Sequence, residues 1–137
     1  MEKQYSPSVK SVLPAALLLA LTGWAGLAGV IYFSLPTVGP RWLFFFFAVL
    51  AITGTFLPFT AYLNRRFPST PSAGLNVILR QAIWVGIFIP TLAWLQIARV
   101  LTLGLAGLLA MSLVIIEILL RLRERSRWKP HREEMHE

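Results

Sequence analysis

Glu117 is the only acidic side chain inside any long apolar stretch of this 137-residue chain, so its surroundings decide what chemistry it can do. A carboxylate in hydrocarbon is costly unless it is paired, protonated or near the surface. Arg121 stands four residues further on and can reach back to it along a helix. Arg80 is the better partner by depth. If the chain turns near residue 99, Arg80 and Glu117 sit at one level on adjacent antiparallel helices, about one turn inside the membrane boundary. Two roles follow: a proton or cation site, or an intramembrane ion pair that fixes helix register. The shallow position favours the register pair.

A second pattern is a partial repeat. Gly54–Leu63 reads GTFLPFTAYL and Gly86–Leu95 reads GIFIPTLAWL, with Asn64 and Gln96 following directly. Pro58 and Pro90 each lack the N–H that would bond the carbonyl four residues back, which belongs to Gly54 and Gly86. Both helices are expected to kink there, with Thr55, Thr60 or Thr91 able to satisfy the freed carbonyls. Matched interrupted helices occur in transporters built from inverted repeats. The match does not extend into the other two apolar stretches, which favours ordinary tolerance of membrane helices for Gly and Pro.

Other chemistry finds little support. With no cysteine, disulfides and thiolate ligands are excluded. No histidine falls within an apolar stretch, and Ser112, the only serine deep in one, has no base in sight. Phosphate-cradling glycine loops are absent from the sequence. His131 and His136 with Glu133 and Glu134 are a weak metal signal in a short terminal stretch. The expectation is a protein that is not an enzyme and has no cofactor or metal.

The elements that position these residues are four apolar stretches, Pro14–Ser34, Trp42–Leu63, Asn76–Ile97 and Val100–Leu120. Each is about the twenty residues that cross a ~30 Å hydrocarbon core. They are apolar all round, as lipid-facing helices are, and Phe44–Phe47 in succession cannot share one helix face. The fold expected is all-α: a single polytopic membrane domain over residues 1–137, with four transmembrane helices in an up-down bundle and a basic tail over 121–137. Ser11 is placed to cap the first helix, with Pro14 in its first turn. The first stretch is longer than a cleaved signal's ~7–15 apolar residues, so it reads as an uncleaved anchor. Pro36, Gly39 and Pro40 are expected in an outer loop, and Asn64–Gly74 in an inner one. No proline or glycine lies between Thr91 and Leu103, so a tight turn near Ala98–Leu101 competes with one long helix from Asn76 to Trp128. The apolar content of Leu101–Leu120 favours the turn.

Charge orients the bundle. With the amino terminus inside, eleven basic residues fall on the inner side: Lys3, Lys10, Arg65, Arg66, Arg80, Arg121, Arg123, Arg125, Arg127, Lys129 and Arg132. Only Arg41 and Arg99 fall outside. This bias places both termini in the cytoplasm and points to a plasma (inner) membrane. The net charge of +7 is carried by these flanks, and it indicates anionic lipid rather than nucleic acid as partner. Arg121, Arg123, Arg125, Arg127 and Lys129 are candidate headgroup contacts, with Trp128 as an interfacial anchor. Small residues mark candidate packing faces: Ala25, Gly26 and Gly29 with Thr22 on the first helix, and Gly107 and Ala110 with Gly104 on the fourth. These are expected to pack within the chain, or else to form a seam with a protein partner or a second copy. Two functions remain: a non-catalytic membrane subunit or scaffold, or a small oligomeric transporter or channel using Glu117.

Overall fold

The computed structural model describes residues 7–33, 38–68 and 72–127. They form four helices, α1 (Val9–Phe33), α2 (Val38–Arg66), α3 (Leu75–Ile97) and α4 (Leu103–Arg127). Each is long and apolar enough to cross a membrane. At 23 to 29 residues they all exceed the apolar stretches that mark them. A helix continues for as long as its backbone bonds are made, whereas the hydropathy signal stops at the first charges.

The helix ends correct several expectations. α1 starts five residues before Pro14, which lies in its second turn rather than its first, and its cap is Ser8 rather than Ser11. The Ser11 N–H donates to Ser8 Oγ at 3.3 Å, and the Ser11 hydroxyl donates to the Ser8 carbonyl at 2.7 Å. Gly39 and Pro40 lie in the first turn of α2 instead of a loop, at positions where a missing N–H costs little. Asn64, Arg65 and Arg66 belong to α2, so the polar interruption begins inside the helix. Ser34, Pro36, Trp128, Lys129, His131 and His136 lie outside the described residues.

Between α3 and α4 the chain turns over Ala98–Thr102, which excludes the single long helix. The Val100 N–H donates to Leu95 O at 3.1 Å and the Arg99 N–H to Gln96 O at 3.0 Å. That is the double bond pattern of a Schellman ending, whose left-handed residue is usually glycine. Arg99 fills that position here with φ 57°. Thr102 then caps α4, accepting the Leu105 N–H on Oγ1 at 3.1 Å.

Consecutive helices run antiparallel, and their contacts pivot on glycine. A Cβ at Gly23 would meet backbone atoms of Ala51, and one at Gly54 would meet backbone atoms of Leu19 and Ala20. One at Gly86 would strike Thr53 Oγ1, with Val49 O 3.0 Å away. Close backbone approach of this kind is the packing that small residues allow. Gly26 sits under the Phe47 ring. Two small cores result: Val12, Ala16, Leu57, Ala61, Ala73, Ile78 and Ala82 at one end, and Leu27, Ala48 and Ala51 at the other.

The expected packing faces are accordingly shifted. Gly23, not Ala25, faces α2; Ala25 is exposed and Gly29 meets open space. Gly104 and Gly107 also meet open space, and Ala110 lines a groove. No residue of α4 is buried. Its backbone approaches α3 alone.

Candidate functional site

Away from the turn, α4 is held by a polar clasp near the basic end of the helices. Arg80, Gln81 and Trp84 fall on one face of α3, three and four residues apart. Glu117, Arg121 and Glu124 do the same on α4, at spacings of four and three. Asn64, in the last turn of α2, supplies the third side. Counting outward from Arg99 brings these levels together.

Glu117 is the centre. Arg80 donates to it twice, Nε to Oε2 at 3.0 Å and Nη2 to Oε1 at 3.3 Å. Gln81 Nε2 donates to Oε1 at 3.2 Å, Trp84 Nε1 to Oε2 at 3.3 Å and Arg121 Nε to Oε1 at 3.2 Å. A carboxylate offers about four lone-pair sites. Five donors from two helices therefore fill both oxygens. The side chain is only 16% exposed, so this saturation is what makes its burial tolerable.

The remaining bonds tie the clasp to α2 and to the surface. Arg121 Nη2 donates to Asn64 Oδ1 at 3.2 Å, and Asn64 Nδ2 donates to Gln81 Oε1 at 2.6 Å and to Thr60 O at 2.8 Å. Arg80 Nη1 reaches Glu124 Oε1 at 2.6 Å. Two guanidinium groups thus face two carboxylates, and the cluster is formally neutral.

Arg80 and Glu117 stand out in the sequence, whereas the parts of Asn64, Gln81, Trp84 and Glu124 in the clasp do not. A usable signal existed: Glu124 repeats Glu117 at one heptad, and Trp84 repeats Arg80 one turn on. Arg121, expected at lipid headgroups, is largely engaged in the clasp. Arg123, Arg125 and Arg127 are exposed.

Pro58 and Pro90 lie inside α2 and α3, which continue past them. The threonines do not satisfy the Gly54 and Gly86 carbonyls. Thr55 donates to Ala51 O at 2.7 Å, Thr60 to Leu57 O at 2.9 Å and Thr91 to Ile87 O at 2.7 Å. Each bonds a carbonyl within its own preceding turn, where a helical threonine hydroxyl naturally points. Gly54 and Gly86 share a role of another kind, since each lies directly against the preceding helix.

Among the described residues no group of three or more His, Cys, Asp or Glu side chains is placed to hold a metal. No known protein family, curated protein or solved structure matches this chain. Its four candidate membrane-spanning helices suggest an integral membrane protein.

Proposed function

We propose that this chain is a non-catalytic integral membrane subunit or scaffold of a plasma (inner) membrane, with both termini cytoplasmic. It packs against other membrane proteins and against anionic lipid. One observation carries this reading: the single intramembrane carboxylate has both oxygens occupied by the chain's own donors. A site that loads and releases a proton or cation needs a free lone pair, and Glu117 has none to spare. The clasp serves instead to hold α4 in register against α2 and α3. Most of α4's circumference, including Leu108, Met111, Ile115 and Leu119, is then left for lipid or a partner protein.

The alternative is a small oligomeric transporter or channel in which Glu117 is the ion site and the helices bend at Pro58 and Pro90. It is favoured by the groove that reaches Glu117 between α3 and α4. Reconstitution separates the two. Liposomes carrying the wild-type protein are expected to hold a proton or potassium gradient as well as empty ones. Gentle detergent extraction is expected to bring a membrane protein partner down with the chain. A flux present with wild type and lost in Glu117→Gln, with the fold retained, overturns the scaffold reading.

A further inference from the structure

α4 packs only lightly on α3. The space between them is a groove of about 460 Å³, walled by Val85, Phe88, Ala110, Leu113, Val114 and Ile118 and closed at one end by the clasp. We infer that this groove is a lipid site: it takes one acyl chain of an anionic phospholipid, whose phosphate rests on Arg121 and Arg125. The inference rests on the scaffold reading and names its lipid partner.

Three observations select that occupant. The first is extent. The lining runs from Gln81 to Phe88 on α3 and from Ala110 to Arg121 on α4, about two to three helical turns, so the groove is a long channel rather than a compact pocket. An extended polymethylene chain follows such a channel. The second is polarity along the slot. Its length is apolar, and only the end bounded by Gln81, Trp84, Glu117 and Arg121 is polar, which is the pattern of an amphiphile.

The third is charge. The clasp is neutral, but every other charged side chain described on α2 and α4 at this end is basic: Arg65, Arg66, Arg123, Arg125 and Arg127. Arg121 uses Nε on Glu117 and Nη2 on Asn64, while Nη1 makes no hydrogen bond among the described residues. Arg125 follows one turn later on the same face and is exposed. Two guanidinium groups a turn apart, Arg121 lining the polar end of the slot and Arg125 one turn beyond it, suit a phosphate that lacks a compensating ammonium.

Native mass spectrometry of the full chain, released from nanodiscs of equimolar phosphatidylglycerol and phosphatidylcholine, tests this directly. One phosphatidylglycerol per chain is expected to survive release, favoured over phosphatidylcholine by ~5-fold or more, the effect of about one basic contact. Arg125→Gln, which lies outside the clasp, is expected to reduce that preference ~5-fold. Ala110→Phe, which fills the slot and leaves every charge in place, is expected to remove the retained lipid of either kind without lowering the melting temperature in detergent.

Equal retention of the two lipids overturns the site, as does full retention by Ala110→Phe. A dimer mass lost in Ala110→Phe also overturns it and gives the groove to a second copy. Cation flux with lipid retention intact would remove the scaffold reading and leave the lipid site standing. Tight liposomes without lipid preference would do the reverse.

Discussion

Arg80 on α3 grips Glu117 on α4 through two nitrogens, at 3.0 and 3.3 Å, and reaches Glu124 from the same guanidinium. The two carboxylates differ in surroundings: Glu117 is 16% exposed and Glu124 45%. Desolvation makes an unmatched charge at the first site expensive, and water screens the second.

The clasp therefore predicts unequal losses. Glu117→Gln is expected to cost about 2 kcal/mol of stability, because it leaves Arg80 and Arg121 facing an amide. Glu124→Gln is expected to cost under about 0.5 kcal/mol. Combining Glu117→Gln with Arg80→Gln should lose about 1 kcal/mol less than the sum of the single changes. Melting of the four variants in detergent checks this. Strict additivity would mean that Arg121 alone compensates Glu117.

How much of this was readable in the chain differs by level. The four helices are legible because hydrocarbon demands uninterrupted apolar length, and that demand is written in composition. Their ends are less legible, since α2 and α4 run on through arginines once past the apolar zone. The level of Arg80 with Glu117 can be counted outward from the turn, because antiparallel helices rise equally per residue. The turn itself carries no glycine, and the left-handed Arg99 is invisible to a search for breakers. Asn64, Gln81 and Trp84 are neutral groups whose roles depend on which faces meet. Gly23 and Gly26 lie against α2 while Ala25 is exposed, and an all-round apolar helix gives no moment to choose between such neighbouring positions.

The glycines separate by their surroundings. At Gly54 a methyl group would press on the backbone of Leu19 and Ala20, which can yield only if α1 and α2 part. Gly54→Ala is expected to cost about 1–3 kcal/mol. At Gly107 nothing lies within 4 Å. Gly107→Ala is expected to leave stability unchanged or raise it by up to ~1 kcal/mol through helix propensity. The melting temperature of Gly54→Ala should fall below wild type, and that of Gly107→Ala should not. A large loss in Gly107→Ala, accompanied by loss of an oligomer, would instead place a seam on that face of α4.

Arg99 holds a backbone conformation that costs an L-residue about 1–2 kcal/mol. Arg99→Gly is expected to stabilise the hairpin by about 1 kcal/mol, whereas Arg99→Ala removes the same charge and keeps the strain. The difference between the two isolates the backbone term from any role of the guanidinium. Equal melting of the glycine and alanine variants would show that the turn adopts another conformation.

The same turn reports membrane orientation. Lys10, Arg65, Arg66 and the arginines closing α4 gather at one end of the antiparallel helices, while the Ala98–Thr102 turn lies at the other. By the positive-inside bias, the arginine end is expected to face the cytoplasm and the turn to face outward. The chain has no native cysteine, so single replacements give a clean readout. Val100 and Ser126 are both exposed and lie at opposite ends of the α3–α4 hairpin. An impermeant maleimide applied to intact cells should label Val100→Cys, and it should label Ser126→Cys only after permeabilisation. Labelling of Ser126→Cys alone in intact cells would invert the topology. It would put the basic flank, the clasp and the lipid groove at the outer leaflet, where anionic headgroups are scarce, and the cytoplasmic-lipid reading would fall with it.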